Sequence, residues 1–299
     1  MSDTHKRPPV GKSLIGIAIA VSIAAGMAIA GSYRGHVVNG VPVFALIAAL
    51  AFIVQWLIFI PAYLSQSERY YDFTGSLTYL TVVACALTAN NDPRSQLLAA
   101  LIAIWAVRLG SFLFLRIRDA GSDRRFDQIK PFFFRFMMTW TLQGLWVLMT
   151  AAAALAAMTS TKTPNLGIAG VIGLALWLGG FAIEVTADRQ KREFRRNPDN
   201  ANRFIQHGLW AWSRHPNYFG EILLWLGIAV IAVPALQGWQ YATLISPVFV
   251  YLLLTKVSGV PLLDAYAMKK WGQDDDYKAY RAATPVLFMR PPGNRDSQP

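Results

Sequence analysis

The stretch GLWAWSRHPNYFGEILLWLG, Gly208 to Gly227, passes from a basic, aromatic turn into an apolar segment that still carries Glu221. Pro216 suits the first turn of a helix, and Asn217 and Glu221 then lie one turn apart on it. The apolar half is either a buried helix of a soluble domain or a membrane span, and composition decides between them. The 299 residues are 54% hydrophobic and only 15% charged, with a mean hydropathy of +0.34. That is too apolar and too charge-poor for an ordinary soluble domain. The chain reads as an all-α, polytopic membrane bundle, and a carboxylate inside one of its spans is a functional candidate because it is costly to keep there.

Working outward, runs of roughly 18 to 25 mainly apolar residues, enough to cross about 30 Å of hydrocarbon, begin near 13, 41, 72, 96, 134, 166, 218 and 239. About eight spans are expected. The first follows HKRPPVGK and lacks a small-residue cleavage site leading into a polar mature domain, so it reads as a retained anchor helix. An N-terminus inside places 65–71, 116–133, 188–217 and 257–299 on one side. Of the 28 Lys and Arg, only Arg34, Arg94 and Lys162 then fall outside. The expectation is an integral protein of a bacterial inner membrane with both termini cytoplasmic. The formal charge of +11 fits this basic-inside asymmetry and anionic headgroups, and no nucleic-acid motif accompanies it. Cys85, the single cysteine, excludes an internal disulfide and a cysteine-based zinc site.

Four clusters carry chemistry. In GGFAIEVTADRQKREFRR, Glu184, Asp188, Lys191 and Arg195 share one helix face, with Glu184 about a turn inside the span. Arg214, His215, Asn217 and Glu221 form the second cluster, at the mouth of the span quoted above. In WAVRLGSFLFLRIRDAGSDRRF, Arg108 lies at membrane depth, and Arg116, Arg118, Arg124 and Arg125 follow at the cytoplasmic end. These three clusters combine arginines for phosphates with carboxylate and amide groups for ribose and base edges, the mixture a phosphorylated dinucleotide requires. In the fourth, SERYYDFTGSLTYL, Asp72 opens a helix that includes Tyr79. Asp72 reads either as a helix cap or as an acid paired with the phenols of Tyr71 and Tyr79. Trp105 is placed to wall an apolar substrate. Glu68 lies in a different cytoplasmic loop, outside the cofactor set. No GxGxxG follows a strand, no Walker A loop occurs, and His5, His36, His207 and His215 lack metal-ligand spacing.

These residues resemble a family of bacterial membrane proteins related to steroid 5α-reductases, grouped as DUF1295, over roughly 70–290. GLWAWSRHPNYFGEILLWLG is the most specific segment. VSGVPLLDAYAMKKWG and YKAYRAATPVLF follow it, with WAVRLGSFLFLRIR and ADRQKREF in support. The isoprenylcysteine methyltransferases share a shorter RHPxYxG core. The resemblance implies NADPH binding through Asp188, Arg195, Asn217 and Glu221, with Arg108 matching a family arginine. It sets the active-site glutamate of the steroid reductases near Asp72 and their catalytic tyrosine near Trp105, leaving Tyr71 or Tyr79 as replacement phenols.

The expected function is NADPH-dependent reduction of a C=C bond conjugated to a carbonyl in a steroid-like or isoprenoid lipid. Arg116, Arg118, Arg124, Arg195 or Arg214 would meet the 2′-phosphate, and Arg214 and His215 would sit nearer the phosphates or ribose. Asn217 and Glu221 would hold the nicotinamide end, and Glu184 and Lys191 belong to the same cofactor set. The expected partners are the bilayer and a hydrophobic small molecule, without nucleic acid or metal. A methyltransferase using S-adenosylmethionine on a lipid-linked acceptor is the alternative. A non-catalytic membrane or transport protein is a third option, but neither internal repeats nor broken midplane helices are evident. The expected division is N-terminal anchor helices over 1–65, a reductase-like membrane domain over 66–290, and a disordered tail over 291–299.

Overall fold

The computed structural model describes residues 10–292, apart from the side chains of Arg116, Asp119, Ala120 and Arg124. Most of the expected tail, from residue 293 on, lies outside the described residues. The chain divides into two compact units, Met1–Gly170 with Ile231–Ser246, and Val171–Val230 with Pro247–Pro299.

The first unit contains α1 (Val10–Gly31), a short antiparallel ribbon (β1, Val37–Val38; β2, Val41–Pro42), α2 (Val43–Leu64), α3 (Tyr71–Leu87), α4 (Pro93–Ala120) and α5 (Phe133–Met158). Helix α5 is its core. In its most apolar stretch 89% of residues are buried, against 22% for α1. The run Thr150 to Ala157, alanine but for Thr150 and Leu155, keeps that helix thin, so that α1, α2 and α3 all pack against it. Polar staples fix the register where lipid offers no competing water. The Gln55 amide donates to Thr78 Oγ1 at 2.8 Å, the Trp56 indole to Thr141 Oγ1 at 3.0 Å, and the Gln143 amide to the Tyr71 carbonyl at 3.1 Å. Arg94, in the first turn of α4, is 2% exposed. Its guanidinium donates to the carbonyls of Ile231, in the last turn of the helix Pro216–Ala232, and of Asn165 and Leu166, in the loop after α5.

The second unit contains most of α6 (Gly167–Arg196), α7 (Pro216–Ala232) and α8 (Ile245–Leu252), with a π turn at Leu253–Val257, α9 (Val260–Trp271) and α10 (Asp275–Ala283). Helices α6 and α7 meet glycine to glycine. A Cβ on Gly180 would lie 2.5 Å from the Gly220 carbonyl oxygen, one on Gly220 2.7 Å from the Glu184 amide, and one on Gly227 2.5 Å from the Gly173 carbonyl. Only the missing side chains let the two backbones approach so closely, and in lipid such van der Waals contact is a main source of helix association.

Among the described residues seven helical segments are long and apolar enough to cross a membrane. Helix α3 falls outside this set because its 17 residues reach only about 26 Å at 1.5 Å per residue.

Candidate functional site

In the second unit the expected face of α6 is graded. Glu184 is 2% exposed and Asp188 9%, Lys191 is half-buried, and Arg195 is exposed. The glycine seam brings the first turn of α7 onto this face, and Asn217 Nδ2 donates to Asp188 Oδ1 at 3.2 Å. Glu221, one turn further along α7, is half-buried.

The turn before α7 is pinned from both sides. Gly208 takes the left-handed conformation, φ +60°, against the Gln190 side chain. Gln190 Oε1 accepts the Leu209 amide at 3.0 Å, and the Trp210 indole donates to the Ala187 carbonyl at 3.0 Å. The Lys191 ammonium lies 4.5 Å from the Trp210 ring centroid. From the C-terminal side, Tyr280 donates to the Trp210 carbonyl at 2.8 Å, Ser213 Oγ to the Leu287 carbonyl at 2.9 Å, and the Arg214 amide to the Pro285 carbonyl at 2.8 Å. The YKAYRAATPVLF segment therefore clamps the SRHP turn.

Between these parts of the second unit is a cavity of about 570 Å³, within the usual range for small-molecule sites. Lys191, Arg195, Arg203, Arg214 and Lys270 line it with His215, and Asp264 is the one carboxylate on its wall among the described residues. Phe204, Trp210, Trp271, Tyr277 and Tyr280 supply flat apolar surface. Arg214 Nη1 lies 3.4 Å from Asp264 Oδ2, and His215 Nε2 lies 3.6 Å from Asp264 Oδ1. Burial lowers the His215 pKa below 6.5, with Asp264 opposing the shift and Lys191 and Arg214 adding to it. Of the second-unit residues singled out in the sequence, Lys191, Arg195, Arg214 and His215 line the cavity. Glu184, Asp188, Asn217 and Glu221 are not among its described lining residues. Sequence reasoning passed over Asp264, Arg203 and Lys270. The lone carboxylate in VPLLDAYAM was the available signal for Asp264.

In the first unit Asp72 occupies the first turn of α3 but not the cap position, which is Tyr70. Tyr71 donates its hydroxyl to the Thr139 carbonyl at 3.1 Å and packs edge-on against Trp140 and Phe126. Tyr79 and Trp105, 5% and 2% exposed, meet edge to face at 5.1 Å. Arg108 is half-buried with its guanidinium 5.6 Å from the Phe112 ring centroid. Arg118 is exposed, while the side chains of Arg116 and Arg124 lie outside the described residues. Arg125 forms an ion pair with Asp123, which raises its pKa, and the nearby Asp72 charge adds to the shift. Glu68 lies in the loop before α3. It is 6% exposed, accepts the Asp123 amide at 2.8 Å and pairs with Lys130 at 2.5 Å.

The helices define an integral membrane protein. The DUF1295 family, proteins of unknown function, matches residues 56–284, and the chain belongs to it. Over 70 residues the chain is 36% identical to 3-oxo-5-alpha-steroid 4-dehydrogenase 1 of Bos taurus, a match covering 23% of this chain and 27% of the relative. It is 30% identical over 138 residues to the Delta(14)-sterol reductase of Methylotuvimicrobium alcaliphilum, covering 41% and 30% respectively. It is 25% identical over 214 residues to an uncharacterised protein of Schizosaccharomyces pombe, covering 60% and 61%. The chain thus spans about a quarter of the length of the bovine relative. No solved structure matches it significantly.

Proposed function

We propose that this protein is a membrane-embedded, NADPH-dependent reductase of a C=C bond conjugated to a carbonyl in a lipidic substrate. One observation carries the reading: among the described residues, five permanent cations and one carboxylate line the aromatic-walled cavity of the second unit. A ligand that satisfies this wall carries several negative charges and flat rings. The diphosphate, 2′-phosphate and bases of NADPH answer that description. S-adenosylmethionine, whose reactive sulfonium is cationic, does not.

Arg195, Arg203, Arg214 and Lys270 hold the phosphates, since arginine forks meet phosphate oxygens with charge-assisted bonds. Lys191 and His215 complete this wall. Asp188, locked to Asn217, and the neighbouring Glu184 and Glu221 offer acceptors for ribose hydroxyls and the carboxamide. Arg108, Arg116, Arg118 and Arg124 remain further phosphate candidates. When bound, the cofactor supplies hydride to the β-carbon of the conjugated system. Asp72 and a phenol polarise the carbonyl oxygen and deliver its proton. Tyr79 is the better placed phenol, because it packs on Trp105, where the family resemblance sets the catalytic tyrosine.

The relatives named as a steroid dehydrogenase and a sterol reductase support a sterol-like or isoprenoid substrate. We further read 1–65 as anchor helices before a reductase-like region over 66–290. The membrane is a bacterial inner membrane, with both termini cytoplasmic.

Calorimetry on the protein in detergent tests the cofactor. NADPH is expected to bind more tightly than NADH, and both more tightly than S-adenosylmethionine. Saturable S-adenosylmethionine binding without NADPH binding would replace the reductase with the methyltransferase.

A further inference from the structure

Asp264 faces two guanidinium groups and an imidazole and grips none of them closely. Its oxygens lie 3.4 Å from Arg214, 3.6 Å from His215 and 3.6 Å from Arg281, whereas a committed charge-assisted bond is about 2.7–2.9 Å. The polar atoms around it are not used up. Among the described residues Arg214 Nε and both ring nitrogens of His215 are buried and make no hydrogen bond. His215 is nevertheless held in place. Its ring stacks on Tyr218 at 5.5 Å and 9°, and its backbone amide donates to Ser213 Oγ at 3.2 Å. The charged and titratable groups around it are Asp264 on α9, Lys191 on α6, the adjacent Arg214, Tyr218 on α7 and, beyond Asp264, Arg281 on α10.

We propose that His215, positioned by Asp264, takes up one proton as a phosphate-bearing ligand enters the cavity, so that ligand binding is coupled to protonation of this site. Nε2 faces Asp264, which leaves Nδ1 to receive the proton from solvent. The imidazolium then donates to a phosphate oxygen, and the proton returns to solvent when the ligand leaves. Burial keeps the imidazole neutral in the empty cavity at neutral pH, with Lys191 and Arg214 disfavouring a further positive charge. An entering anion reverses the balance, since a nearby negative charge favours the charged form of histidine. Asp264 acts through His215 and Arg214 and is a positioning residue. The inference rests on the reading above for the identity of the ligand. Its geometry demands only an anion.

Two probes separate these dependences. Sulfate keeps its charge between pH 5 and 9, so a titration shift of His215 in its presence belongs to the protein. NMR of labelled histidines in the full chain, with the His215 signal assigned by His215→Gln, should show its pKa rising by about one unit in sulfate. Calorimetry with NADPH at pH 7.5, in two buffers of different ionisation enthalpy and free of phosphate, should show net proton uptake that His215→Gln abolishes. Affinity for NADH, which lacks the titrating 2′-phosphate, should tighten as pH falls from 8 to 6, by at most about tenfold per unit for one proton. Asp264→Asn should move this dependence to lower pH and Asp264→Glu should restore it, whereas a merely structural role would weaken binding equally at every pH. If sulfate and NADPH both leave the His215 titration where it stands in the empty protein, the proposal is overturned. A sulfate response without NADPH binding would sustain the proton-coupled anion site and remove only the cofactor reading.

Discussion

Tyr79 stands perpendicular to Trp105, the ring centroids 5.1 Å apart at 88°, with both side chains buried between α3 and α4. Tyr71, eight positions earlier on α3, instead donates to the Thr139 carbonyl. The two phenols should therefore separate cleanly. Tyr79→Phe is expected to lower turnover by about 10²–10⁴-fold, the usual contribution of a positioned proton donor, with NADPH affinity within a few fold. Asp72→Asn should behave alike. Tyr71→Phe should leave turnover intact and cost about 0.5–1.5 kcal/mol of stability for one hydrogen bond. Steady-state kinetics and thermal unfolding of the three variants check this, and full activity of Asp72→Asn would reduce that residue to a helix-end charge.

The glycine seam of α6 and α7 sets up a second expectation. Gly220→Val forces side-chain atoms into the Gly180 carbonyl and the Glu184 amide. Overpacking of this kind costs about 1–3 kcal/mol, and here it also separates Asn217 from Asp188. Asn217→Ala, which breaks their bond without moving the helices, should weaken NADPH binding by about tenfold, or roughly 1.4 kcal/mol. Gly220→Val should lose both stability and binding, as unfolding and calorimetry would register. Undiminished NADPH affinity in Asn217→Ala would remove the seam from the cofactor site.

Glu68 ties the loop before α3 to the loop after α4. Burial alone would raise its pKa, but the Lys130 ammonium and the Asp123 amide hold it below the ordinary value of 4.5. A carboxylate depressed in the folded state stabilises above its unfolded pKa, and that contribution is lost as pH falls through the folded one. Stability should thus decline below pH 4.5, and Glu68→Gln should flatten that part of the profile while costing about 1–3 kcal/mol at neutral pH. A Glu68→Gln protein as stable as the parent at pH 7 would show that the clasp contributes nothing.

Helix α3 carries the topology. With it as a span, both termini lie on one side, and the basic loops gather there as the positive-inside rule requires. Replacing Cys85 by Ser leaves a cysteine-free chain in which single cysteines at Asn91, Pro164 and Gln273 report their side by labelling with an impermeant reagent. Asn91 and Pro164 should be labelled from outside and Gln273 only after permeabilisation. Labelling of Gln273 from outside would reverse the placement.

Much of this protein was legible in its sequence because the governing forces are local or compositional. Apolar runs of span length specify helices in a bilayer, since the backbone must satisfy its own hydrogen bonds there. The offsets from Glu184 to Arg195 specify one face of α6 through helical periodicity alone. Tertiary structure decided what depends on packing register. Asp264 meets Arg214 across 50 positions, and no local period announces such a pairing. Glu68 looked like a loop carboxylate until Lys130, 62 positions away, closed on it. The glycines at 180 and 220 are unremarkable one by one and acquire meaning only where two backbones touch. Residues that share a helix face can be read from their spacing, whereas residues that share a cavity are selected by which side chains the packed helices leave unfilled space between.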